Sequence, residues 1–152
     1  MTVKIAINGF GRIGRLVLRS IIESGRNDVS VVGINDLATS EANAHLLKYD
    51  SVHGRFDADV KVSGNKLIVN GREIVMTQIK DPTQLPWKDL GIDVAMECTG
   101  LFTKKDDAAK HITAGAKRVL ISATATDEDL TVVFGVNHDK LQASHTVVSN
   151  AS

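Results

Sequence analysis

Val3-Lys4-Ile5-Ala6-Ile7-Asn8-Gly9-Phe10-Gly11-Arg12-Ile13-Gly14 is the stretch whose reading decides the fold. A short apolar run leads into a turn with glycines at positions 9, 11 and 14. Behind it, Ile13, Leu16, Val17 and Ile21 recur at helical spacing, while Arg12, Arg15 and Arg19 occupy another face. Gly25 reads as the helix stop. A second apolar run, 29–34, closes on Asn35-Asp36, with Asp36 22 positions beyond Gly14. Strand, glycine turn, helix, strand and acid in that order have one physical logic. Gly9 permits the tight turn, Gly11 lets a pyrophosphate approach the backbone, and Gly14 lets helix and strand pack closely. The free N–H groups at the helix start face the phosphates. Asp36 accepts hydrogen bonds from the adenosine ribose and repels a 2′-phosphate. The pattern predicts a dinucleotide site, with NAD preferred over NADP.

The bulk composition is that of one ordinary globular domain: 152 residues, 43% hydrophobic and 24% charged. Eighteen basic and eighteen acidic residues cancel, so no global field favours nucleic acid or an anionic membrane. No apolar stretch approaches the roughly 20 residues that span a bilayer. The N-terminus enters a strand without a signal-peptide pattern. The single cysteine, Cys98, suits a reducing compartment, so a cytoplasmic location is expected. His45, His53, His111, His138 and His145 lack zinc-type spacing, so no metal site is expected.

Beyond Asp36 the chain predicts a short helix over 39–47 and a loop over 48–57. Short strands follow at 60–62, 67–69 and 73–76, separated by Gly64-Asn65 and by Asn70-Gly71, a type I′ hairpin signal. Asp81-Pro82 breaks the chain and Leu85-Pro86-Trp87 opens a helical turn. Alternation then resumes: a buried strand at 93–97, the Thr99-Gly100 turn, a helix over 106–113, and strands at 118–122, 131–134 and 145–149. The fold class is α/β: a Rossmann-type doubly wound, mostly parallel sheet with a small antiparallel hairpin insertion and its ligand at the carboxyl ends of the strands.

Several separated motifs carry a closer likeness. Ile7 to Arg15 (INGFGRIGR), Ile34-Asn35-Asp36-Leu37, 48–56 (KYDSVHGRF), 97–102 (ECTGLF), 111–117 (HITAGAK) and 148–152 (VSNAS) together resemble the glyceraldehyde-3-phosphate dehydrogenase family over essentially the whole chain. The resemblance implies NAD-dependent oxidation of glyceraldehyde 3-phosphate, with phosphate, to 1,3-bisphosphoglycerate in glycolysis. There a cysteine thiolate attacks the aldehyde, a histidine accepts its proton, and phosphate cleaves the thioester. It also implies a homo-oligomer, a tetramer in the family. In that family Ser-Asn-Ala-Ser is followed at once by the catalytic cysteine, and the histidine lies in a second domain. The expectation is therefore an NAD-binding domain over 1–149, with 150–152 opening the active-site segment of an absent catalytic domain. No catalytic residue is expected here, and no activity from these residues alone. Cys98 reads as a buried, inert thiol rather than a nucleophile.

The cofactor candidates follow from motif and likeness together. They are Asn8, Gly9, Phe10, Gly11, Arg12, Ile13 and Gly14 on the turn, and Asn35, Asp36 and Leu37 after the second strand. Lys80 stands near the adenine where many relatives carry arginine, at the cost of stacking rather than charge. Thr99, Gly100 and Phe102 follow the strand at 93–97, and Ser122 and Ala123 stand beside the nicotinamide. The turn at 122–126 lacks a proline common in the family. Ser152 is the substrate-phosphate candidate. Arg12 reads equally as a phosphate contact, a subunit contact or a solvated residue; Lys80 as a cofactor contact or a surface lysine; and Asp36 also as a helix cap. Rival readings are erythrose-4-phosphate dehydrogenase and a free-standing NAD-binding regulatory module.

Overall fold

β1 (Val3–Asn8) and β2 (Val29–Asn35) pair in parallel, joined by helix α1 (Arg12–Glu23). The computed structural model describes residues 2–25, 27–50, 54–55, 58–100, 105–122, 130–131 and 147–149. Alternation within β1 shows why this strand is central. Ile5 and Ile7 enter one core with Leu18 of α1, whereas Ala6 enters another with Trp87 and Ala95. A strand covered on both faces cannot alternate apolar with polar, hence its nearly continuous apolar run.

After β2, Thr39 caps α2 (Ser40–Lys48) by accepting the Ala42 N–H. The loop expected over 48–57 is partly paired: β3 (Tyr49–Asp50) and β4 (Gly54–Arg55) form a small antiparallel ladder. Then β5 (Val60–Ser63), β6 (Lys66–Val69) and β7 (Arg72–Thr77) form a meander. Asn70 and Gly71 at its second turn both take positive φ, 51° and 81°, as a type I′ turn requires. The third strand is not confined to the insertion. β7 pairs in parallel with β2, so the meander extends the main sheet at its edge.

A 3₁₀ turn at Pro82–Gln84 and helix α3 (Trp87–Leu90) lead to β8 (Val94–Glu97), which returns to the other side of β1. The single helix expected over 106–113 is two short ones, α4 (Lys105–Ala108) and α5 (Lys110–Thr113), interrupted at Ala109. β9 (Arg118–Ile121) joins β8. Outward from β9 follow β11 (Val147–Ser149) and then β10 (Leu130–Thr131). The sheet order is β10-β11-β9-β8-β1-β2-β7-β6-β5, parallel from β10 through β7. The chain thus builds away from β1 in one direction, then crosses to β8 and builds in the other. This is the doubly wound arrangement, and the reversal between β1 and β8 opens a crevice above their carboxyl ends. No helix among the described residues is long and apolar enough to cross a membrane.

Candidate functional site

A cleft of about 780 Å³ lies above the carboxyl ends of β1, β2 and β8. Its floor is the glycine turn. Gly9 has φ of +92°, and a Cβ there would meet the Thr99 amide nitrogen at 2.8 Å. A Cβ on Gly14 would strike the Gly9 carbonyl oxygen at 2.3 Å. Both glycines let backbone pass backbone. Gly11 is different: no atom lies within 4 Å of where its Cβ would be, because that side opens on the cleft. Gly11 is also the N-cap of α1, whose start has neither a side-chain cap nor an acidic residue in the first turn. An uncapped helix start beneath an open glycine is a seat for an anion, supplied by N–H groups and the helix dipole.

Asp36, just beyond β2, forms the adjoining wall. Its Oδ1 accepts the Phe10 N–H at 2.9 Å, and its Oδ2 accepts the Ala38 N–H at 3.0 Å and the Asn43 side chain at 3.3 Å. The carboxylate therefore braces the glycine turn as well as facing the cleft, and its remaining lone pairs stay available for a ribose hydroxyl. Exposed Leu37 stands beside it. The next wall is the segment after β7, where Ile79, Lys80, Asp81 and Pro82 line the cleft with Lys110 of α5. The Thr83 backbone N–H and hydroxyl donate to the Asp81 carboxylate and hold it below the usual carboxylate range.

The third wall follows β8, where Cys98 and Thr99 line the cleft. Burial pushes the Cys98 thiol up to about 11, with the Glu97 charge adding to the rise and a Ser122 hydrogen bond opposing it. Cys98 is half-buried on the cleft wall and stays protonated at neutral pH.

Beneath these walls runs a buried polar chain. Asn35 Nδ2 donates to Asn8 Oδ1 at 2.8 Å and to the Ile79 carbonyl, while Asn35 Oδ1 accepts from Ile79 N–H and the Thr77 hydroxyl. Asn8 Nδ2 donates to Glu97 Oε1 at 2.7 Å. Glu97 Oε1 also lies 2.8 Å from His111 Nε2, and Glu97 Oε2 accepts both the N–H and the hydroxyl of Thr99. Trp87 Nε1 closes the chain on His111 Nδ1 at 2.9 Å. Side chains from β1, β2, β8, α3 and α5 thereby fix the strand ends relative to one another.

The structure brings Asn8, Gly9, Gly11, Asn35, Asp36, Leu37, Lys80 and Thr99 together on one cleft. Phe10 is placed otherwise. Its side chain is 1% exposed in the core, and only its N–H engages the site, through Asp36. Arg12 and Ile13 are exposed at the start of α1, Gly14 is buried behind the turn, and Gly100 turns the chain at φ of +77°. Ser122 donates its hydroxyl to the Glu97 carbonyl. Phe102, Ala123 and Ser152 lie outside the described residues, as do His53 and 150–151. Sequence reading missed Ile79, Asp81, Pro82 and Lys110 as cleft walls, and Glu97, His111 and Trp87 as its supports. The signal for Glu97 was a charged residue in an apolar strand, which calls for buried partners.

The family described as glyceraldehyde 3-phosphate dehydrogenase, NAD binding domain, matches residues 3–105. Over its whole length the chain is 62% identical to the glyceraldehyde-3-phosphate dehydrogenase of Xanthobacter flavus, covering 45% of that protein. Identity is 56% to the protein of that name from Geobacillus stearothermophilus and 60% to that from Cereibacter sphaeroides, each again covering 45%. The chain spans less than half the length of these curated relatives.

Proposed function

Because the chain belongs to the glyceraldehyde-3-phosphate dehydrogenase family, through the NAD-binding domain of that family, we propose that it serves the phosphorylating oxidation of glyceraldehyde 3-phosphate as the part that holds and orients NAD. NAD is the cofactor of this domain. One observation carries the reading. The uncapped start of α1, the open side of Gly11 and the Asp36 carboxylate converge on one cleft, and that donor set fits a diphosphate joined to a ribose.

In this reading the N–H groups at the start of α1 take the pyrophosphate, with Gly11 leaving room for it. Asp36 takes the adenosine ribose, and Leu37, Ile79, Lys80 and Pro82 flank the adenine. Asn8, Asn35 and Gly14 set the turn from below. Thr99 and Gly100, with Phe102, Ser122 and Ala123, belong to the nicotinamide side, and Arg12 and Ile13 to the pyrophosphate rim. The bound cofactor supplies a hydride acceptor. Residues 1–149 form the NAD-binding domain, and 150–152 open the active-site segment, with Ser152 at the substrate phosphate. The thiolate and the base come from outside these 152 residues. Cytoplasmic location, a homotetramer and the substrates glyceraldehyde 3-phosphate and phosphate follow from the family likeness.

The test is an NAD titration of the 152-residue chain with an NADH-formation assay on glyceraldehyde 3-phosphate, erythrose 4-phosphate and phosphate. Saturable NAD binding without turnover is expected. Turnover that disappeared in Cys98→Ser would reverse the assignment of Cys98 as a bystander. Absence of NAD binding would sink the proposal.

A further inference from the structure

Glu97 is 1% exposed, and among the described residues its carboxylate is met by hydrogen-bond donors: Asn8 Nδ2, His111 Nε2, and the N–H and hydroxyl of Thr99. The state of His111 follows from its other neighbour. Indole N–H only donates, so His111 Nδ1, 2.9 Å from Trp87 Nε1, is the acceptor of that bond. The ring proton then sits on Nε2, directed at Glu97, and the imidazole is neutral. His111 is the one basic group within ion-pair distance of Glu97 among the described residues. As a carboxylate, Glu97 is then a buried charge whose partners among the described residues are all uncharged, a costly arrangement in a low-dielectric setting.

The charge lies one residue below the wall formed by Cys98 and Thr99. On the proposed reading, Asp36 after β2 takes the adenosine ribose and the glycine turn after β1 takes the pyrophosphate. The other half of the dinucleotide then extends over the end of β8, above Glu97. That half is a cationic ring in NAD+ and a neutral one in NADH; the two molecules are otherwise alike in charge. We propose that Glu97 is a specificity-determining residue for cofactor oxidation state, a fixed buried anion that favours the cationic nicotinamide of NAD+ over the neutral ring of NADH. The four donors hold the carboxylate in place, and the low-dielectric wall lets its field reach the cleft.

The inference rests on the NAD reading, and its test separates the two. Dissociation constants of NAD+, NADH and the uncharged isostere in which benzamide replaces nicotinamide are measured on the intact protein and on Glu97→Gln, with circular dichroism confirming the fold. The native protein is expected to bind NAD+ at least about tenfold tighter than the benzamide dinucleotide, and Glu97→Gln to cut the NAD+ over NADH preference at least about fivefold. A purely structural role would weaken all three ligands by one common factor and leave the preference unchanged, which overturns the proposal. If Glu97→Gln does not fold, the native protein still decides: equal affinity for NAD+ and its neutral isostere removes the role of Glu97 while leaving the NAD site standing. A native protein that bound none of the three would remove the NAD reading itself.

Discussion

The two sides of the cleft are built by different means. On the β1–β2 side the site is backbone: three glycines, an uncapped helix start and one acid, all within residues 9–36. On the β8 side it is side chain: Glu97 and Thr99 are held by residues as far apart in sequence as Asn8 and His111. The first kind of site needs little more than a local conformation, and residues lacking a Cβ provide it. The second needs the sheet assembled first, because its hydrogen bonds join strands that the chain visits far apart. Gly9 belongs to both, since its turn packs on the Thr99 backbone.

The largest expected effects contrast two glycines of the same turn. Gly11→Val points into open space at φ of −77°, so the fold should survive with a loss of about 1 kcal/mol or less. Its side chain would fill the space that the proposed reading gives to the pyrophosphate, so NAD affinity should fall by at least about 100-fold. Gly9→Val combines a positive φ with contact on the Thr99 backbone, and should cost about 3–5 kcal/mol of stability as well as binding. Thermal unfolding and NAD titration of both variants check this. A Gly11→Val protein that bound NAD normally would put the pyrophosphate elsewhere.

The same contrast explains what could be read from the sequence. The glycine spacing, the helix period behind it and Asp36 are local signals, and they specify β1, α1, β2 and most of the cleft floor. The Asn70-Gly71 turn was legible for the same reason. That β7, while keeping its pairing with β6, would also pair with β2 was not, because turn chemistry sets a hairpin's register but not its neighbour across the sheet. The break at Ala109 is not legible in the sequence because apolar spacing continues through it. For Phe10 the glycine spacing says nothing of where the side chain goes: it packs in the core while its N–H meets Asp36. His111 gave no sign either, since a lone histidine on a short helix carries no pattern that points to Glu97.

Asp36→Ala probes the acid that couples a local signal to a structural brace. The variant leaves the Phe10 N–H without its partner, which costs about 1–3 kcal/mol of stability, and on the proposed reading it also removes the acceptor for the ribose. NAD affinity should drop by about tenfold, and discrimination against NADP should relax because the repelling carboxylate is gone. Titrating NAD and NADP against both proteins checks this. Equal affinity of the native protein for the two cofactors would remove Asp36 as the discriminator.

The smallest effect on binding is expected from Cys98→Ser, and that near-silence sharpens the contrast: a side chain on the β8 wall matters only if it belongs to the Glu97 chain. At neutral pH the variant should bind NAD within about twofold of the native protein, since the thiol is protonated there and Cys98 meets Asn8 through its backbone N–H, which serine keeps. Its signature should appear in alkali. Burial raises the thiol from 9.0 to about 11, so the folded state keeps its proton where the unfolded chain has lost it. Stability from this group is then fully present below the unfolded value and is lost as pH rises through the interval between the two values. Relative to Cys98→Ser, the native protein should lose about 2 kcal/mol between about pH 8 and about pH 10.5. Urea unfolding of both proteins across that range measures the difference, alongside thiol modification at neutral pH, which should be slow. Parallel stability curves together with fast modification would mean that Cys98 is an accessible, ionisable thiol. The β8 wall would then hold a nucleophile of its own beside Glu97.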